Sequence, residues 1–133
     1  MNDGLIVVWS HGRITIRSPP AEQVLQPIDR LYASIARNPS AVAVGDTTYA
    51  DLGAMVDALA AALQERDPAP GSRVGVCAPN TFEHLVALLA TYAAGKVWVP
   101  LAPRNTRAVL DAMIAATRPT ILLSDDIGVE DVK

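Results

Sequence analysis

Between residues 70 and 125 the apolar positions alternate between two rhythms, and the switches spell strand, helix, strand, helix, strand. Arg73-Val-Gly-Val-Cys-Ala78 is a short apolar run rich in β-branched residues. A Pro70-Gly71 turn opens it and Pro79 closes it, which predicts a buried strand. A helix is expected from Asn80, whose side chain can accept from first-turn amides, with Glu83 completing an acidic capping pattern and Gly95 supplying a left-handed stop. Phe82, Leu85, Val86, Leu89, Tyr92 and Ala93 repeat at helical spacing and give that helix one apolar face. Val97-Trp-Val-Pro-Leu101 predicts the second strand. Asn105 or Thr106 can cap the next helix, with Val109, Leu110, Met113 and Ile114 as its stripe, and Arg118-Pro119 ends it before a third strand, Thr120-Ile-Leu-Leu-Ser124. Crossovers of this length predict parallel, neighbouring strands joined right-handedly.

Upstream, Leu5-Ile-Val-Val-Trp9 and Arg13-Ile-Thr-Ile-Arg17 flank Ser10-His11-Gly12, the spacing of a β-hairpin with a short loop. Pro19-Pro20 marks a linker. Pro27 fits the first turn of a helix with Ile28, Leu31, Tyr32 and Ile35 on one face, stopped by Asn38-Pro39. Ala41-Val-Ala-Val-Gly45 and Thr47-Thr48-Tyr49 read as two short strands around a Gly45-Asp46 turn. The following helix has Thr48 as cap and Asp51 in third position, with Leu52, Met55, Val56, Leu59, Ala60 and Leu63 as its stripe. The predicted fold class is α/β, three-layered, with a mostly parallel sheet in a βαβαβ core (about residues 72–125), an N-terminal hairpin and two further helices.

Composition narrows the functional classes. The chain has 133 residues, 50% of them apolar and 19% charged, enough for one well-filled core. A formal charge of −3 with scattered basic residues argues against nucleic acid or an anionic membrane as partner, because phosphate binding needs a clustered basic surface. The single cysteine, Cys77, sits mid-strand as a buried small hydrophobe and fits a reducing compartment. Met-Asn-Asp-Gly lacks the basic region of a secretory signal, and the most apolar window, residues 85–103, is broken by Gly95, Lys96 and Pro100. A cytoplasmic location without a membrane span is the expectation.

In a parallel sheet, ligands bind beyond the carboxyl ends of the strands. Those edges carry Pro79-Asn80-Thr81, Ala102-Pro103-Arg104-Asn105 and Ser124-Asp125-Asp126, with Arg104 as the cation. Helix starts there can hold an anion, although the same residues serve as ordinary caps. The chain has no dinucleotide glycine fingerprint. Gly95-Lys96 lacks the flanking residues of a phosphate loop, and no serine sits in a nucleophile elbow. His11, His84 and Cys77 lack metal-ligand spacing, Asp125-Asp126 reads as a solvated acidic pair, and Trp9 and Trp98 read as core anchors. Residue by residue, the chain points to no reaction.

Four segments taken together do carry a signal: Thr48-Tyr49-Ala50-Asp51-Leu52; Pro70-Gly71-Ser72-Arg73-Val74; Pro79-Asn80 before an apolar helix; and Ala94-Gly95-Lys96-Val97-Trp98-Val99-Pro100-Leu101-Ala102-Pro103-Arg104. Their order and spacing resemble the beginning of the adenylate-forming superfamily, which comprises acyl-CoA synthetases, adenylation domains of nonribosomal peptide synthetases and beetle luciferases. The likeness runs from about Ile28 to Asp125, and most of its shared positions are scaffold: caps, turns and strand ends. The resemblance implies a parent enzyme that activates a carboxylic acid with ATP and Mg²⁺ to an acyl-adenylate and passes the acyl group to CoA. Its phosphate-cradling loop, later acidic motifs and catalytic lysine are expected downstream, so the resemblance gives this chain no catalytic, cofactor-binding or metal residue. It implies 27–133 as the N-terminal part of the adenylate-forming domain, inactive alone, while residues 1–18, read from spacing as a β-hairpin extension, have no counterpart in the resemblance. Asn80, Arg104 and Asn105 are the expected substrate- or CoA-facing edge. Arg66-Asp67-Pro68-Ala69, Ser72 and Ala102 depart from the usual pattern, while Pro103-Arg104-Asn105-Thr106 is similar to acyl-CoA synthetases. The expected partner is the remainder of the parent, with self-association through apolar faces. The alternative is a free-standing, noncatalytic α/β module that binds a small ligand or a partner.

Overall fold

The computed structural model describes residues 6–10, 13–17 and 26–125. The expected hairpin is β1 (Ile6–Ser10) paired antiparallel with β2 (Arg13–Arg17), setting Val7 opposite Ile16 and Trp9 opposite Ile14. Leu5, the His11 loop tip, the Pro19-Pro20 linker, Asp126 and the side chain of Trp9 lie outside the described residues.

Helix α1 (Pro27–Arg37) begins on Pro27, whose fixed φ suits a first turn, and buries Ile28 and Leu31. Tyr32 stays half exposed because its hydroxyl reaches Asp57 Oδ1 at 2.6 Å. That bond, followed by burial and the neighbouring negative charge, pushes the phenol pKa up to about 12. Strands β3 (Val42–Val44) and β4 (Thr47–Thr48) turn through Gly45 at φ 55°. Tyr49, expected in the second of these strands, instead opens α2 (Tyr49–Arg66), because the Thr48 hydroxyl accepts from the Asp51 amide at 3.2 Å and fixes the helix start there. Leu52, Val56, Ala60 and Leu63 are buried as expected, whereas Met55 is exposed. The buried stripe of α2 runs through Gly53, where a Cβ would lie 2.5 Å from Ile35 Cδ1, so a side chain there would require the end of Ile35 to move.

The core unit is β5 (Arg73–Cys77), α3 (Phe82–Ala93), β6 (Val97–Leu101), α4 (Arg107–Thr117) and β7 (Ile121–Ser124), with all strand pairs parallel. The strand order is β6-β5-β7. The sequence expectation that the third strand neighbours the second is therefore corrected, because β7 lies on the far side of β5. A right-handed crossover that steps back across the sheet must carry its helix over the opposite face. The packing shows this: α3, with α1 and α2 packed against it in one shared core, lies on the face of Val74, Val76, Trp98, Ile121 and Leu123, while α4 covers the face of Val99, Leu101 and Leu122. Alternation along β6 and β7 sends neighbouring residues to the two cores. Gly75 faces the α4 side, where a Cβ would sit 2.9 Å from Leu122 Cδ1 and 3.2 Å from Leu101 Cδ1. The result is the expected three-layer α/β arrangement. Its α4 layer is thin: no residue of α4 is fully buried, and Val109 of the expected stripe is exposed.

The amino ends of the three strands are tied by a buried cation. Lys96, just before β6, has a side chain only 1% exposed, and its Nζ donates to the carbonyls of Asp67 (2.6 Å) and Ala69 (3.0 Å) and to Ser72 Oγ (2.7 Å). Thr120, just before β7, donates its hydroxyl to Asp67 Oδ2 at 2.5 Å and its amide to the Arg73 carbonyl at 2.9 Å. Gly95, at φ 72°, takes the left-handed conformation expected of a helix stop and lets the chain turn from α3 into this knot.

Candidate functional site

Because the strand order reverses at β5, the chain leaves β5 toward one face and leaves β6 toward the other. The β5–α3 and β6–α4 connections therefore diverge at the carboxyl edge, and a crevice opens between them, as open parallel sheets favour. The groove there measures about 710 Å³ and is lined by Ala78, Pro79, Asn80, Thr81, His84, Leu85, Leu88, Trp98, Pro100, Leu101, Ala102, Pro103, Arg104, Asn105 and Met113. All three residues expected at the ligand-facing edge, Asn80, Arg104 and Asn105, line it together.

The first wall is built by a tight turn. The Thr81 amide donates to the Pro79 carbonyl at 2.8 Å, and the Thr81 hydroxyl accepts from the His84 amide at 3.3 Å, so Thr81 caps α3. This corrects the expectation that Asn80 is the cap. The Pro79 turn places Asn80 before the first helical turn and leaves its exposed side chain at the groove. His84 Nδ1 lies 3.0 Å from the Ala78 carbonyl and 3.2 Å from that of Pro79. Carbonyls only accept, so Nδ1 is the donor, and in the neutral ring Nε2 is left as an acceptor. The ring meets Trp98 edge-on, with centroids 6.1 Å apart at 70°. The Trp98 indole N–H is buried and, among the described residues, is the side-chain donor without a partner. The core role expected of Trp98 holds, since it packs against the α3-side core while also lining the groove.

The second wall is the β6–α4 connection. The Asn105 amide donates to the Ala102 carbonyl at 3.0 Å, and Thr106, rather than Asn105, caps α4 by accepting from Val109 N at 3.4 Å. Freed from capping, Asn105 turns its Nδ2 to Met113 Sδ at 3.7 Å. Arg104 is the one formally charged residue lining the groove, and it makes no ion pair with a described residue, Asp125 included. The groove thus joins apolar walls to one exposed cation and two amide side chains, which suits a long, partly apolar ligand with an anionic end. Cys77, beneath this edge, is buried. Burial and then the nearby Asp125 push its thiol pKa up, keeping it protonated and inert. No three His, Cys, Asp or Glu side chains converge among the described residues. No helix there is long and apolar enough to cross a membrane.

His84 and Trp98 were read in the sequence as background, and both line the groove. His84 carried a topological signal, since it sits in the first turn of α3 at the carboxyl edge, whereas Trp98 lies near the start of β6 and carried none.

The family model described as AMP-binding enzyme matches residues 31–133. The hybrid PKS-NRPS synthetase mpsA of Macrophomina phaseolina is 35% identical over 135 residues, which cover 91% of this chain and 3% of that protein. Equisetin synthetase of Fusarium heterosporum is 32% identical over 124 residues, covering 88% of this chain and 3% of its own. Among solved structures, the N-terminal subdomain of Klebsiella oxytoca NpsA in complex with 3-hydroxybenzoyl-AMSN matches with a TM-score of 0.68 and 27% identity over 75% of this chain and 26% of that one. The chain thus spans about 3% of the length of these two curated relatives.

Proposed function

Because the chain belongs to the AMP-binding, adenylate-forming enzyme family and matches its N-terminal part, we propose that it serves as a scaffold segment of a larger enzyme that converts a carboxylic acid and ATP to an acyl-adenylate. The acyl group then passes to a thiol. In that enzyme ATP with Mg²⁺ supplies the adenylyl group. The residues of this chain that face the chemistry are Asn80, Arg104 and Asn105, which offer a cation and two amides to the thiol-bearing substrate. The observation that carries this reading is the groove at the strand-order reversal, which gathers these three side chains on two connections. The described residues form no cluster for Mg²⁺, so no metal step is assigned to them.

CoA is the acceptor suggested by Pro103-Arg104-Asn105-Thr106. The similarity to hybrid PKS-NRPS synthetases supports a second reading, a thiol tethered to a carrier domain. The two are separated in the intact enzyme by Arg104→Ala. A several-fold rise in KM for free CoA with ATP–pyrophosphate exchange unchanged supports CoA at the groove, and loss of transfer only to a carrier-bound thiol supports the tethered acceptor. An unchanged thiol step in both assays removes the groove from the reaction. The isolated chain is expected to show no exchange activity. Saturable binding of a small anionic ligand other than CoA by it, abolished by Arg104→Ala, would favour the free-standing module. We further assign the protein to the cytoplasm. Its thinly covered α4 face would support self-association, which concentration-dependent sedimentation tests.

A further inference from the structure

A buried lysine ammonium needs an acceptor for each of its three protons, and Lys96 has three at 2.6–3.0 Å: two carbonyls and a hydroxyl from residues 67–72. These oxygens are held in place by bonds that do not involve the lysine. The Asp67 carboxylate accepts from the Ala69 amide at 3.0 Å and from the Thr120 hydroxyl, while the Ser72 hydroxyl donates to the Ala69 carbonyl at 3.1 Å. Asp67 Oδ2 stands 3.9 Å from Nζ, so it contributes charge rather than a fourth bond. The oxygen shell is therefore built independently of the cation it surrounds.

We propose that residues 67–72 form an oxygen-lined cage for a monovalent cation of ammonium size, and that Lys96 is that cation, supplied on a tether to position the starts of β5, β6 and β7. The acceptor distances are those of N–H···O bonds. A Ca²⁺ ion takes six to eight oxygens at about 2.3–2.6 Å, which three acceptors at 2.6–3.0 Å do not match. Asp67 keeps its charge for reasons mostly separate from Lys96. Its pKa is lowered to about 2 first by the Thr120 hydroxyl, then by Ser72 and the Ala69 amide, with Lys96 contributing least. Removing the ammonium thus leaves a preformed, negatively biased cavity rather than a collapsed loop.

The test is cation rescue of the full chain. Lys96→Ala is expected to lower Tm by about 10 °C or more. Ammonium and potassium chloride should restore part of that loss in a saturable way, whereas sodium and tetramethylammonium chloride at equal ionic strength should not. Wild type should show no such selectivity. Equal effects of all four salts on Lys96→Ala overturn the proposal. Should Lys96→Ala fail to fold in every salt, Lys96→Arg decides. The planar guanidinium cannot meet three acceptors arranged around a compact ammonium, so a loss of stability supports the cage and wild-type stability overturns it.

Discussion

The two ends of the three-stranded sheet solve opposite problems with similar residues. At the amino end a cation, a carboxylate and hydroxyls are arranged so that Lys96 and Asp67 each have defined partners. At the carboxyl end a cation and amides surround about 710 Å³ of open groove, and among the described residues Arg104 has no ion partner and the buried Trp98 indole N–H has no hydrogen-bond partner. A polar group that is satisfied internally fixes the fold, and one left open is available to a ligand. The difference separates an internally satisfied lysine from an arginine left open at the groove in one small domain.

The largest expected effect tests that separation directly. In urea unfolding, Lys96→Ala should cost about 3–5 kcal/mol because it leaves the two carbonyls and the Ser72 hydroxyl that the buried ammonium bonds without their donor. Arg104→Ala should stay within about 0.5 kcal/mol of wild type. Equal losses would erase the distinction between the two ends. A smaller effect is expected from the wall of the groove, where Thr81→Ala should cost about 1 kcal/mol as a lost cap, while Asn80→Ala should leave stability nearly unchanged. The reverse order would restore Asn80 to the capping role that the sequence suggested. The smallest effect is acid sensitivity at the amino end. Asp67 has a folded pKa near 2, below its ordinary 3.8, so its stabilising contribution is complete above about pH 4 and is lost as the pH falls through 2. Asp67→Asn should flatten that limb of a Tm-against-pH curve, and an unchanged limb would place the acid sensitivity elsewhere.

Much of this was legible from local pattern. The Thr48 cap, the α2 stripe, the alternation of strands and helices, and the meeting of Asn80, Arg104 and Asn105 at one edge all follow from spacing, because caps and periodicity act within a few residues. Strand order did not follow. A helical pattern states that a crossover occurs but not toward which side of β5 it returns, and that depended on Val99 and Leu122 sharing a core with α4. The cap at Thr81 was misplaced onto Asn80, and that at Thr106 was left open against Asn105, because a second residue able to cap precedes each. Lys96 was invisible for a different reason. A lysine beside a glycine reads as solvated, and its acceptors lie more than twenty residues away in the chain.

The reversed strand order also dictates when the sheet can be completed during synthesis. Strand β5 is central, yet one of its neighbours is made only after α3, β6 and α4 have left the ribosome. Until then its backbone edge stands open, with Val74 and Val76 beside it. Such a half-paired apolar strand is a template for pairing between chains until β7 emerges and pairs with its open side.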